Sequence, residues 1–305
     1  MLKKLSIIRT DWPTHGQTTF HEFGDSPMIK NKKLTSASVL ALAAAGVLFA
    51  TLSLNTAQAA SQDLLKAADP DVNKAYVRAR FGTIQNKAFN PGDGRKKVLI
   101  IGDSQAQDFL NSAMEHGHLN GYQVRTRHIP AQCQLYYGDA SGSGVESKDE
   151  ALCAKSESLA KSKRQIENAD VIIFASLWRS WAVAKLPQTI QNLELRDNQK
   201  LVVVGRKSFG RISLRHYLRM SDAQRKNVRN PINQQFLNDN RSLSQRLPAA
   251  MFVDQYALIC GAGQNTCPVF TPDAELISFD GGHLTKAGAQ FVGDRIFNSQ
   301  ALSGL

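Results

Sequence analysis

Apolar positions along the chain gather into short blocks set apart by longer polar stretches. Lys97-Val98-Leu99-Ile100-Ile101 is a run rich in β-branched residues and predicts a buried strand. Gly102-Asp103-Ser104 follows at once, and helical spacing then holds from Ala106 to about His116, where Gly117 stops it. Tyr122 to His128 alternates and predicts a second strand. Asp170 to Ala175 predicts a third, preceded by a polar, helix-like stretch over 155–168, and Lys200 to Gly205 a fourth. Ala250 to Asp254 predicts a weaker fifth strand. A final helix is predicted from Leu284 to Phe297, with apolar residues at Leu284, Ala287, Phe291, Val292 and Ile296. Strands alternating with helices imply a mostly parallel five-stranded sheet covered on both faces, a three-layer α/β/α architecture of flavodoxin-like type. Ligands bind such sheets outside the carboxyl ends of the strands, where Gly102-Asp103-Ser104 falls.

The chain divides into four stretches. Residues 1–27 contain Asp11, Pro13, Glu22, Asp25 and Pro27, which suit no export signal, so they read as an upstream extension with translation starting at Met28. Residues 28–59 have the form of a secretory signal. Lys30, Lys32 and Lys33 precede an Ala-, Leu- and Val-rich centre, and Ala57-Gln58-Ala59 supplies small residues for cleavage. The rival is an uncleaved anchor over residues 34–61, since the apolar centre falls short of the roughly 20 residues that span a bilayer but flanking Ser and Thr extend it. Residues 60–94 read as a helical lead-in and a linker, ending in the turn formers Asn90-Pro91-Gly92-Asp93-Gly94. The compact domain is expected over 95–305.

Charge and cysteine content narrow the compartment. Net charge is +11, and residues 1–59 hold six Lys/Arg against three Asp/Glu, so the remainder carries +8. A basic surface attracts anionic glycan or lipid, or is simply solvated. No nucleic-acid motif is present, and an exported chain excludes that partner. The basic segment from Arg206 to Arg246 reads as a lid toward an anionic partner or, more commonly, a solvated helical face. Cys133, Cys153, Cys260 and Cys267 all follow the signal; an even count in an exported chain implies two disulfides. Three pairings are open, and sequence proximity favours Cys133–Cys153 with Cys260–Cys267. No CxxC pair or histidine cluster accompanies them, so no metal and no cofactor are expected.

Three side chains carry candidate chemistry. A serine hydroxyl needs a base within hydrogen-bond reach, and the base needs an orienting carboxylate. Ser104 stands between strand and helix, where orphan N–H groups and the helix dipole favour an oxyanion. Near the C-terminus, Asp280-Gly281-Gly282-His283 sets a carboxylate three residues before an imidazole, with a flexible pair between. Each piece alone also fits a plainer role: Asp and Ser cap helices, and Asp-x-x-His can be a surface loop. Their order along the chain is more specific.

Val98 to Ser104 resembles the first block of the SGNH/GDSL hydrolase superfamily, and Asp280-Gly281-Gly282-His283-Leu284-Thr285 with Gly288 resembles its last. More narrowly, the chain is similar to the periplasmic SGNH domains of membrane acyltransferases that O-acetylate bacterial surface polysaccharides. Pro130 to Leu135 resembles their cysteine loop, Ala175-Ser176-Leu177-Trp178-Arg179 the Trp-bearing end of their third strand, and Cys260 to Pro268 their small disulfide loop. The resemblance implies an SGNH hydrolase-like fold over residues 95–300 and a triad of Ser104, Asp280 and His283. It implies an acyl-serine intermediate, on an esterase or an O-acyltransferase acting on acylated carbohydrate. One departure stands out: Leu177-Trp178-Arg179 replaces the block that brings an oxyanion-binding Asn. Oxyanion donors are therefore expected from the backbone of Ser104 and of the loop around Gln132–Gln134, with Gln132 the named candidate. Trp178 and Arg179 are candidates for sugar stacking and for an acidic substrate, against core packing and a solvated arginine. The alternative function is a catalytically weak glycan-binding or accessory protein. An acyl donor would be a separate membrane protein, and this chain would meet the membrane only through an uncleaved N-terminal segment. The expected location is periplasmic or secreted, or the inner membrane if residues 34–61 anchor it. N-terminal analysis of the exported protein distinguishes these outcomes: cleavage leaves Ala60 first, whereas anchoring leaves residues 34–59 attached.

Overall fold

The computed structural model describes residues 61–139 and 143–305. The expected signal and upstream extension, and all of the expected anchor but Ser61, lie outside these residues. Among them, no helix is long and apolar enough to cross a membrane.

Five strands form one parallel sheet: β1 (Lys97–Gly102), β2 (Gln123–His128), β3 (Val171–Ala175), β4 (Lys200–Val204) and, after a short β5 (Arg229–Pro231), β6 (Phe252–Val253). The sheet order is β2-β1-β3-β4-β6, and β5 pairs antiparallel with β7 (Thr266–Pro268) in a separate two-stranded ribbon. All five predicted sheet strands are present, the first longer by Gly102 and the others trimmed at their ends. The fifth keeps only Phe252 and Val253 in the ladder, in keeping with its weak apolar signal.

The strands are apolar throughout because both faces are covered. Val98 and Ile100 enter one core with Ile173, Val202 and Val204. Leu99 and Ile101 enter the other with Ile172, Phe174 and Val203. That division is the period-two alternation of a strand, with apolar residues on both sides. The first face is covered by α1 (Pro70–Ile84), α2 (Ser104–Glu115) and α6 (Lys286–Ile296); the second by α3 (Leu159–Asn168), α4 (Ser180–Leu193) and α5 (Gln234–Arg246). Ser158 caps α3 through its hydroxyl, and Thr285 caps α6 in the same way.

The lead-in is part of this body rather than a tether to it. Phe81 of α1 is buried in the first core, and Leu64 and Ala68 pack with Tyr217, Val269 and Phe270. Asn111 of α2 donates from its amide to the carbonyls of Tyr76 and Val77. The expected start at Arg95 is thus moved back to the region of Leu64. The turn-rich stretch at residues 90–94 marks only a surface excursion between α1 and β1. Both disulfides pair as proximity favoured, Cys133–Cys153 and Cys260–Cys267, with Cα separations of 5.3 and 4.5 Å.

Strand register sets the functional edge. Gly102 sits opposite Ala175, and Ala175 opposite Val204, so the carboxyl ends of β1, β3 and β4 finish level. Sheet order reverses between β1 and β3, where a doubly wound sheet leaves its crevice. Gly102 has φ +156°, and a Cβ there would collide with the carbonyl of Ala175. Replacing Phe81 with Ala should destabilise the protein by about 3–5 kcal/mol in denaturant unfolding. A cost below 1 kcal/mol would mean α1 is not integral to the core.

Candidate active site

The serine turn is fixed by a buried carboxylate. Asp103 is the N-cap of α2 and accepts from the N–H of Gln105 at 2.8 Å. Its other oxygen accepts from the Ser176 hydroxyl and the Leu177 N–H, both at 2.7 Å. One side chain therefore ties the start of α2 to the loop leaving β3. Burial pushes the Asp103 carboxyl up, against hydrogen bonds from Gln105, Leu177 and Ser176 that pull it down. Ser104 becomes the first residue of α2, where first-turn N–H groups have no intrahelical acceptor.

The aspartate–histidine loop closes on itself. Asp280 Oδ1 accepts the N–H groups of Gly282 and His283 at 2.9 and 2.8 Å, and its Oδ2 lies 2.7 Å from His283 Nδ1. The Ser278 hydroxyl donates to the His283 carbonyl at 2.6 Å and accepts from the Gly281 N–H at 2.9 Å. Gly281 has φ +91°, and a Cβ there would strike the Gly210 carbonyl. Its own carbonyl accepts from the Phe209 N–H at 2.8 Å. The loop is thus seated on residues 207–210, just beyond β4.

Electrostatics follow from this closure. Burial would raise the Asp280 carboxyl, but the hydrogen bonds from His283 and Gly282 outweigh it and bring it down to about 2. The bond to Asp280 holds His283 above its ordinary value against burial, helped by the negative charge of Asp108 and opposed by Lys207. Nδ1 faces Asp280, which leaves Nε2 for a substrate or a serine hydroxyl.

Ser104, Asp280 and His283 line one cavity of about 110 Å³, together with Phe279, Gln107 and three residues of α1, Lys74, Val77 and Arg78. Larger cavities of about 410 and 460 Å³ lie at Asp63–Leu64 and at Phe89–Arg127. Neither contains a serine–histidine pair.

The remaining candidates do not join this cavity. Trp178 is fully buried and donates its indole N–H to the Val204 carbonyl at 2.8 Å, so it packs the core and offers no stacking face. Trp181 packs edge-on against Tyr136. Arg179 pairs with Glu146 at 2.9 Å, and its backbone N–H donates to the Gln134 side chain. Gln132 is exposed in the turn after β2 and is not among the residues lining the cavity. The glutamine of that loop turned inward is Gln134, at φ +58°, whose amide donates to the Leu177 carbonyl at 3.1 Å.

The basic segment is corrected in part. Arg206, Lys207 and Arg225 are buried. Arg206 pairs with Asp239 and lies 3.5 Å from the centre of the Phe236 ring. Lys207 pairs with Asp108 at 2.7 Å. Their partners lie on α2 and α5, far off in sequence, which is why charge pattern alone gave a solvated face. A visible signal was Arg206-Lys207 directly after an apolar strand, at the edge where ligands bind.

Among the described residues no group of His, Cys, Asp and Glu could hold a metal ion.

The linkage has a definite sign. Asp280, lowered on folding, contributes stability that is present above the ordinary carboxylate range and is lost as pH falls toward about 2. His283, raised on folding, contributes stability that is full below about 6.5 and is lost as pH rises through its folded value. The His283 ring should therefore titrate above about 6.5 by NMR, and Asp280→Asn should lower its midpoint. A midpoint unmoved by that substitution would contradict the pairing.

The sequence model of the family described as SGNH domain (fused to AT3 domains) matches residues 66–297. Among solved structures, the periplasmic domain of a lipopolysaccharide acetyltransferase from Salmonella ser. Paratyphi A superposes with a TM-score of 0.50 at 17% identity. The alignment covers 75% of this chain and 96% of that one. No curated protein matches the chain.

Proposed function

The chain belongs to the SGNH domain family, and from that premise we propose that it is an exported Ser-His-Asp enzyme that moves small acyl groups on a cell-surface or extracellular polysaccharide. One observation carries the reading: Asp280 orients His283 at 2.7 Å, and both line the same cavity as Ser104.

In this reading His283 Nε2 takes the Ser104 proton as the hydroxyl oxygen attacks the acyl carbonyl. The ester C–O bond then breaks, and the leaving sugar hydroxyl receives the proton from His283. Acyl-Ser104 passes its acyl group to water or to another sugar hydroxyl, whose proton His283 accepts and returns to Ser104. Water as acceptor makes an esterase; a sugar hydroxyl makes an O-acyltransferase. The Ser104 N–H at the head of α2 supplies an oxyanion donor. A cavity of about 110 Å³ is small beside the roughly 300–1,000 Å³ of drug-sized ligand sites. It suits an acyl group with the sugar lying outside. Lys74 and Arg78, exposed one turn apart on α1, form a basic wall that favours an acidic glycan.

Where a sugar hydroxyl is the acceptor, the acyl donor in this proposal is a separate membrane protein, whose carrier group leaves and takes the proton in place of the first sugar hydroxyl; the AT3 fusions that name the family support that context. The lipopolysaccharide acetyltransferase with a similar periplasmic domain supports an acetyl group and a location outside the cytoplasm.

A second reading is favoured by one specific feature, the absence of the oxyanion Asn. At that position Trp178 is turned into the core, and the N–H groups of Leu177 and Arg179 are engaged by Asp103 and Gln134. Loss of one oxyanion donor costs roughly 2.7–4 kcal/mol of transition-state stabilisation. A protein weakened that far would serve as a glycan-binding accessory. Acetate release from acetylated glycans tests both readings. The enzyme should release acetate, and Ser104→Ala should reduce the rate by at least about 1,000-fold. Equal rates for wild type and Ser104→Ala, with glycan still bound, would establish the accessory role.

A further inference from the structure

Behind the cavity lies the most deeply buried ion pair among the described residues. Lys207 Nζ is 2.7 Å from Asp108 Oδ2, with side chains 2% and 0% exposed. Removing both charges from water is costly, and a pair like this is weak evidence for stability. Its other contacts give it a different purpose. An ammonium has three protons. Those of Lys207 reach Asp108, the Gln105 side-chain carbonyl at 2.8 Å and the Gly282 carbonyl at 3.1 Å. Asp108 Oδ1 in turn accepts from the Leu284 N–H at 3.3 Å.

These contacts fall in a pattern. Gln105 and Asp108 belong to α2, the helix that begins with Ser104. Gly282 and Leu284 are the two neighbours of His283. The ion pair therefore grips the chain on both sides of His283 and fastens it to the helix that bears Ser104. Phe209, two residues after Lys207, holds the Gly281 carbonyl as well. Neither Lys207 nor Asp108 lines the cavity.

We propose that Lys207 and Asp108 are positioning residues that set the place of His283 relative to Ser104. The inference rests on the triad reading above. Hydrophobic side chains would fill the same volume, but they could bond neither the Gly282 carbonyl nor the Leu284 N–H. Placement within about an ångström matters here, because a misplacement of that size can cost about a hundredfold in rate.

The test uses the full chain and a fluorophosphonate probe, with inactivation rate (kinact) and probe affinity (KI) measured separately and Ser104→Ala as the unlabelled control. Lys207→Met alone leaves Asp108 buried without its partner and should be destabilised. The Lys207→Met/Asp108→Leu double variant replaces both charges with apolar groups and should melt at or above the single variant. Its kinact should nevertheless stay at least about tenfold below wild type with KI within about twofold, because the grip on Gly282 and Leu284 is gone. A merely structural pair would recover activity together with stability. Wild-type kinact in the folded double variant overturns the inference and leaves the triad standing. No labelling of wild type overturns the triad reading, and this inference with it. Should the double variant not fold, Gln105→Leu decides. It keeps the ion pair and removes one arm, and kinact should fall about threefold or more; an unchanged value overturns the proposal.

Discussion

The arrangement of the site depends first on the Asp103 carboxylate. It begins α2, accepts from Ser176 and Leu177, and so binds the end of β1 to the end of β3. Gly102 allows the approach, since no other residue tolerates the Ala175 carbonyl so near its α-carbon. A carboxylate in water would prefer to stay hydrated. Three donors replace that hydration, and each is contributed by a segment whose position matters to Ser104. The sheet supplies the level strand ends, and Asp103 converts them into a fixed direction for the first turn of the helix.

The second organising feature is the traffic of charge across the end of β4. Consecutive residues Arg206 and Lys207 leave the strand and diverge to opposite faces of the sheet. Arg206 meets Asp239 of α5, and its backbone is held by the Asn240 amide at 2.7 and 2.8 Å. Lys207 meets Asp108 of α2. A strand end that alternates sides delivers one cation to each helical layer, so both layers are keyed to the edge where the cavity lies. The overall basic charge thus divides into a surface fraction and a small buried fraction with an architectural use.

Much of this was legible in the sequence because it rests on local pattern. Continuous apolar runs flanked by helical periodicity gave the parallel sheet, and a Gly-Asp-Ser turn after the first run gave the functional edge. Asp280 and His283 were legible because they stand only three positions apart, so their contact needs only a loop that turns. The illegible parts all depend on distant partners. Lys207 looked solvated because Asp108 lies across the fold. Trp178 fitted a stacking surface and a core position equally, and the Val204 carbonyl that decides between them lies 26 residues away. The helix over Pro70–Ile84 looked detached because its polar face dominates, with only Asn73, Val77 and Phe81 buried. Within the loop Gln132–Gln134 the sequence did not tell Gln134 from Gln132, because the turn, not the residue type, decides which of the two faces inward.

The wall formed by Lys74, Val77 and Arg78 has a temporal consequence. One side of the cavity comes from α1, near the start of the described residues, and the opposite side from the loop that precedes α6. Contacts between such distant segments carry a large loop-closure cost, which must be met before they reward folding. A nascent or truncated polypeptide lacking its last thirty-odd residues would carry the serine with no base beside it. The cavity is thereby complete only when both of these distant segments have been made and have folded together.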